Sequence, residues 1–231
     1  MKSNFIKGFS ATIPVAISVC AYGLVLGVLA YSKGVTFFEL LIMDVVIFAG
    51  SAQLLMVELW KDPLPTTEML FAVFAINLRY LLIGASLTPL FKKSSIFEKA
   101  ALMHLVADEN WAVTMARLKK EKITPYFLFG GGVCLVIFWL ISTLTGHTFG
   151  FMISDPYSVG LDFVIIIIFT ALVASFYEGK DSIFPWFVAA VFSYLSFLFV
   201  PGKWYIVIGG LTGALVYAIE KHFRNDKIES V

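Results

Sequence analysis

Long apolar runs, cut by short polar or Pro/Gly-containing joints, organise this chain. The runs cover residues 8–32, 37–60, 67–91, 126–146, 159–178, 183–200 and 203–221. Each holds about 17–25 residues. A helix rising about 1.5 Å per residue then crosses a hydrocarbon layer about 30 Å thick. The joints include Lys61-Asp62-Pro63-Leu64-Pro65, Lys92-Lys93-Ser94-Ser95, Ser154-Asp155-Pro156, Glu178-Gly179-Lys180-Asp181 and Pro201-Gly202-Lys203. The pattern predicts an all-α, polytopic helical membrane protein with about seven transmembrane helices.

Residues 97–118 are long enough to cross but carry His104, Asp108, Glu109 and Asn110. Lys92, Lys93 and Lys99 lie at one end, Arg117, Lys119, Lys120 and Lys122 at the other. Basic residues on both flanks suit a broken or re-entrant helix, and the positive-inside rule slightly favours an element that does not cross. An offset of 118 aligns Asp44-Val45-Val46-Ile47 with Asp162-Phe163-Val164-Ile165, Ala72-Val73-Phe74 with Ala190-Val191-Phe192, and Gly84 with Gly202. With seven full spans, such a repeat is inverted, a common transporter plan. No linker is long enough to separate a pair of domains, so residues 1–231 are expected to form a single integral membrane transporter domain.

Composition agrees. The chain is 59% hydrophobic and 14% charged, with mean hydropathy +0.88. Soluble domains average about 45–50% apolar and about 25% charged residues. A net charge of +1 gives no reason to expect nucleic acid as a partner. Cys20 and Cys134 sit in apolar runs and read as small buried hydrophobes, neither disulfide nor metal ligands. The lysines and apolar stretch at the N-terminus resemble a signal peptide. The stretch continues to Tyr31 without a convincing cleavage site, so it reads as the first span.

Arg79 is the most informative residue. It lies in the middle of the run Met69–Gly84. A guanidinium cannot shed its proton, and at a bilayer centre it costs about 2.5–3.5 kcal/mol on the mildest scale. Its place calls for an anionic partner, a wet cavity or a substrate carboxylate; snorkelling to an interface would be strained. Asn77 is two positions away, about 200° around a regular helix, and so serves different neighbours. Asp108-Glu109-Asn110 reads either as the wet face of an interfacial helix or as an acidic site that pairs with Arg79 or carries a proton. His104 precedes Asp108 by one turn and can share its face, although a lone His is more often structural. Asp44 and Asp162 read as charges near helix N-termini.

Phe48-Ala49-Gly50-Ser51-Ala52-Gln53 has two readings. Its small residues are packing glue, or they mark an unwound segment whose free N–H groups meet a carboxylate. Pro14 kinks the first run, and Gly23-x-x-x-Gly27 gives either a packing face or a hinge. Breaks near Gly50 and Gly23 would expose backbone dipoles. The resulting candidate site has Gly50, Ser51, Gln53, Asn77 and Arg79 for substrate, with Asp108 and Glu109 as counter-charge or proton carrier. There is no H-E-x-x-H, G-x-S-x-G, phosphate loop or Cys/His metal spacing, and Gly130-Gly131-Gly132 lacks P-loop context. No cofactor, metal or enzymatic activity is expected.

Together these pieces resemble the AzlC family of bacterial inner-membrane permeases. The matching residues are Pro14, Tyr22-Gly23 and Gly27, Ala49-Gly50-Ser51-Ala52-Gln53, Asn77-Leu78-Arg79-Tyr80 with Leu87, Asp108-Glu109, Pro201-Gly202-Lys203-Trp204, Gly209-Gly210 and Gly213. Order and spacing fit over almost the whole chain. Tyr80 departs from the family, which more often has His there. The resemblance implies export of branched-chain amino acids. It also implies a small membrane partner of the AzlD type with about four spans. A proton gradient is the natural driver. A passive channel for small solutes and a non-transporting membrane scaffold are the alternatives.

Overall fold

The computed structural model describes residues 2–153 except 93, then 158, 160, 163, 166, 167, 170, 174, 177 and 179, and 183–229 except 201–203. Most of the expected span 159–178, including Asp162, lies outside the described residues, as do Pro201, Gly202 and Lys203. Several positions of the repeat at offset 118 therefore fall outside the description.

Every described element is helical. In chain order these are α1 Lys2–Ser32, α2 Phe37–Val46, α3 Gly50–Leu59, α4 Thr66–Asn77, α5 Arg79–Leu87, α6 Ile96–His104, α7 Asp108–Leu118, α8 Pro125–Phe149, α9 Ile183–Phe199 and α10 Trp204–Glu229. Among the described residues, Lys2–Ser32, Thr66–Leu87 and Pro125–Met152 are long and apolar enough to cross a membrane. The surface is apolar and the interior carries polar groups. Leu82, Phe97 and Phe199 are 76%, 84% and 79% exposed, whereas Gln53, Asn110 and Thr143 are fully buried. That arrangement suits a lipid solvent.

The chain forms two compact units, residues 1–64 with 77–165, and residues 65–76 with 166–231. The spine of the first unit is α1 packed on α8. Contact positions advance together along both helices: Thr12 faces Gly131, Gly23 faces Ser142, and Tyr31 faces Gly150. The two helices are therefore parallel. Glycine allows their backbones to touch. A Cβ on Gly8 would collide with the Phe127 carbonyl oxygen, on Gly27 with that of Thr143, and on Gly146 with that of Leu24. Gly23 and Gly27 thus form the packing face, and the anticipated break at Gly23 does not occur. Helix α1 runs unbroken from Lys2 to Ser32. Both cysteines are free; Cys134 is buried and Cys20 half-buried.

The run 37–60, expected as one span, instead doubles back. Helices α2 and α3 have ten residues each, about 15 Å, or half a hydrocarbon layer. Thr36 and Glu39 cap α2 reciprocally. The chain breaks at Phe48, whose φ of 38° is a left-handed conformation that side chains disfavour by about 1–2 kcal/mol. Lys33 and Glu58 then form an ion pair at 3.9 Å, which returns the end of α3 to the end of α1. His147 Nε2 bonds the Val35 carbonyl near the C-terminus of α8 at 2.7 Å. The hairpin base is therefore anchored there, and its tip lies against α8 at Trp139 and Thr143.

Asp44 ties the tip down. It is 1% exposed and lies in the last turns of α2, so it is not the helix N-terminal charge expected for it. Its Oδ1 accepts from Gln53 Nε2 at 2.7 Å and Trp139 Nε1 at 2.9 Å; its Oδ2 accepts from Thr143 Oγ1 at 2.6 Å. Three donors offset both the desolvation of the carboxylate and its unfavourable position at a helix C-terminus.

Residues 97–118 form the second hairpin, broken as anticipated. Helix α6 starts at its Ser95 cap, ends at His104, and α7 begins at Asp108. Asn110, fully buried, closes the break. Its Oδ1 accepts from Ala107 N at 2.8 Å and its Nδ2 donates to Leu105 O at 2.9 Å. Helix α7 runs alongside α5, with Trp111 Nε1 donating to Ser86 Oγ at 2.8 Å. Leu87, Leu90 and Phe91 share a cluster with Met115, Leu118 and Ile123. So α7 returns to the end that α5 reached. The two hairpins approach from opposite ends and meet where His104 Nε2 donates to the Val45 carbonyl at 2.8 Å. The break separates His104 from Asp108, so they do not share a helix face as anticipated.

In the second unit α9 packs on α10. A Cβ on Gly209 would strike Ser193, and one on Gly213 would lie 2.8 Å from the Ala189 Cβ. Phe71 stacks near Trp204, ring centroids 5.2 Å apart.

Two stability outcomes are expected for detergent-purified protein followed by thermal unfolding. Gly27→Val destabilises by about 1–3 kcal/mol through overpacking against α8. Asp44→Ala destabilises by a similar amount, about 1–3 kcal/mol, because it strands buried donors. A midpoint unchanged in either variant contradicts the corresponding contact.

Candidate functional site

The two hairpin tips leave a polar centre around Arg79. A turn at Leu78 interrupts the helical stretch Thr66–Leu87, so Asn77 ends α4 and Arg79 begins α5. Arg79 NH2 donates to Ser51 Oγ at 2.7 Å. Arg79 NH1 lies 2.7 Å from Asp108 Oδ2. The N–H bonds of NH1 are not aligned on that oxygen, so the contact is an ion pair without a good hydrogen bond. Nε is buried and has no acceptor among the described residues. The guanidinium carbon also sits 5.4 Å from the centroid of the Tyr80 ring, a cation–π contact. The arginine anticipated as costly therefore has an acid, a hydroxyl and an aromatic face, yet keeps donors to spare.

Asp108 and Glu109 occupy the first turn of α7. The partial positive charge of a helix N-terminus stabilises acids there. Asp108 is 28% exposed on its side chain and Arg79 14%, so the pair is partly wet and its net contribution to stability is modest. Of the two sequence readings of this cluster, pairing with Arg79 is the one that the geometry supplies.

Gly50 opens α3, preceded by Ala49, which offers no side-chain cap. The unwound reading of this segment therefore describes the backbone. A Cβ on Gly50 would lie 2.9 Å from Trp139 Cη2 and 3.0 Å from Tyr22 Cε1. Glycine thus lets two aromatic rings close over the start of α3. Those rings pack edge to face, centroids 5.2 Å apart.

The structure brings Ser51, Arg79 and Asp108 into contact, with Glu109 beside Asp108 and Gly50 beside Ser51. Gln53 is placed elsewhere. It is fully buried, with its Nε2 on Asp44 and its Oε1 accepting from Trp139 Nε1 at 3.0 Å. Asn77 Oδ1 is buried without a partner among the described residues. Sequence reasoning named Tyr22 only among the family-like residues, did not single out Trp139 or Thr143, and gave Asp44 only a helix-end role. A signal existed for the last three. Trp139 and Thr143 are four apart on α8 and share a face, and Asp44 is an acid inside an apolar run.

Residues 14–153 match the family model described as AzlC protein. An uncharacterized membrane protein of Helicobacter pylori strain 26695 is 24% identical over 180 residues, covering 76% of this chain and 78% of its own. The branched-chain amino acid transport protein AzlC of Bacillus subtilis is 24% identical over 169 residues, 73% of this chain and 66% of its own. An uncharacterized membrane protein of Haemophilus influenzae is 22% identical over 230 residues, 96% of this chain and 91% of its own. No solved structure matches. The family match runs from Pro14, inside α1, past the end of α8 and so contains both hairpins, Arg79, Ser51 and Asp108. This chain is a membrane protein and belongs to the AzlC family.

Proposed function

We propose that this chain is a secondary transporter that exports branched-chain or similar small apolar amino acids. It is the large subunit of a two-component permease, working with a small AzlD-type membrane protein. It lies as a multi-pass protein in the bacterial inner membrane, and residues 1–231 act as one transporter domain. The name of the Bacillus subtilis relative supports the substrate class.

One observation carries the reading. Arg79, at the meeting of two half-helices, keeps a buried Nε and a poorly aligned NH1 beside an acid. A planar cation with spare donors suits a carboxylate. A substrate carboxylate arriving there competes with Asp108 for the guanidinium. Asp108, released from its counter-charge, is then free to take a proton, and Glu109 offers a second site next to it. Proton binding and substrate binding therefore favour each other through one cation, so the two leave together and the outward gradient of substrate drives them. Loss of the ion pair on one side is matched by gain of another, so Arg79 is never left as an isolated charge.

Two outcomes are expected in proteoliposomes holding this chain with its small partner and loaded with radiolabelled leucine. Arg79→Ala lowers flux about 10–100-fold, the worth of a lost charge-assisted contact of about 1.5–3 kcal/mol. Asp108→Asn leaves leucine able to exchange but removes the response to an imposed pH gradient. Both variants behaving as wild type would sink this reading. Non-saturable flux insensitive to the gradient would favour the channel.

A further inference from the structure

The Tyr22 hydroxyl is buried, and among the described residues it has no hydrogen-bond partner. A buried hydroxyl left unmet is costly, and native proteins keep few of them. Its ring is fixed. It packs edge to face on Trp139, and its Cε1 would lie 3.0 Å from a Cβ on Gly50, at the opening of α3. The next residue, Ser51, holds Arg79 through its Oγ at 2.7 Å. The donors at this point are the first N–H groups of α3, which no side chain caps, the spare guanidinium N–H groups of Arg79 and the Tyr22 O–H; the acids Asp108 and Glu109 lie on the α7 side of Arg79.

We infer that Tyr22 is a further substrate-binding residue, whose hydroxyl donates to one oxygen of a bound amino-acid carboxylate while Arg79 holds the other. This rests on the reading of Arg79 as the carboxylate site. It goes beyond that reading by assigning a neutral donor on α1 and by placing the carboxylate against the start of α3. A donor set of this kind selects a carboxylate over its amide, because an amide nitrogen offers N–H groups to donors and cannot accept from them.

Tyr22→Phe isolates the hydroxyl, since the ring keeps its contacts with Trp139 and Gly50. The experiment compares this variant with wild type in leucine flux, in competition by leucinamide, and in thermal unfolding. The expected result is a half-saturating leucine concentration raised about tenfold with the maximal rate within about twofold. The unfolding midpoint is unchanged or higher, because no internal bond is lost. Competition by leucinamide stays the same. Half-saturation unchanged, or an equal loss for leucine and leucinamide, overturns the assignment of Tyr22 while leaving the Arg79 reading in place. A wild-type protein that neither moves nor binds leucine overturns both.

Discussion

The Asp44 carboxylate is the interaction on which the rest of the first unit hangs. It joins α2 to α3 through Gln53, and joins both to α8 through Trp139 and Thr143. A carboxylate in an apolar interior is very unfavourable alone, but three donors aimed at its two oxygens make the position tenable. Those donors come from two different helices, so they also fix where α3 starts. That in turn sets Ser51 against Arg79, and Arg79 against Asp108. The strained backbone at Phe48 persists because this surrounding network over-determines it.

A helix that stops inside a membrane exposes backbone groups that lipid cannot satisfy. At the two hairpin breaks a side chain meets part of the freed backbone. His104 reaches across from α6 to the carbonyl that the first break frees, and Asn110 closes the second from within. The two hairpins share a design: a Ser or Thr cap with Glu three residues on, a short helix, a break, and a return. They approach from opposite ends, which is the inverted relation that transporters use to build a site near the midplane. The glycines of α1 and α8 serve a separate purpose. They let two long helices touch backbone to backbone and give the hairpins a rigid wall to rest on.

Tyr80 departs from the histidine that the family more often has after Asn-Leu-Arg. Its ring lies close to the neighbouring guanidinium, so the position still serves Arg79, as an aromatic face instead of an imidazole.

The sequence by itself determined the solvent, the helical class and the cost of Arg79, because each follows from composition and run length. It also predicted that 97–118 would not be a plain span, since charge inside an apolar run conflicts with crossing. Tertiary structure alone decided that 37–60 doubles back. Run length is the same for a spanning helix and for two half-helices. Only the Lys33–Glu58 pair and the Asp44 knot, which join residues distant in sequence, separate the two. The same holds for Tyr22. In the sequence it stands only as part of the family-like Tyr22-Gly23 pair, with no role of its own. Its hydroxyl, unmet among the described residues, emerges only when α1, α3 and α5 are folded together. Hydrophobic patterning reports which residues leave water, whereas the partners that polar groups find there depend on how the chain returns.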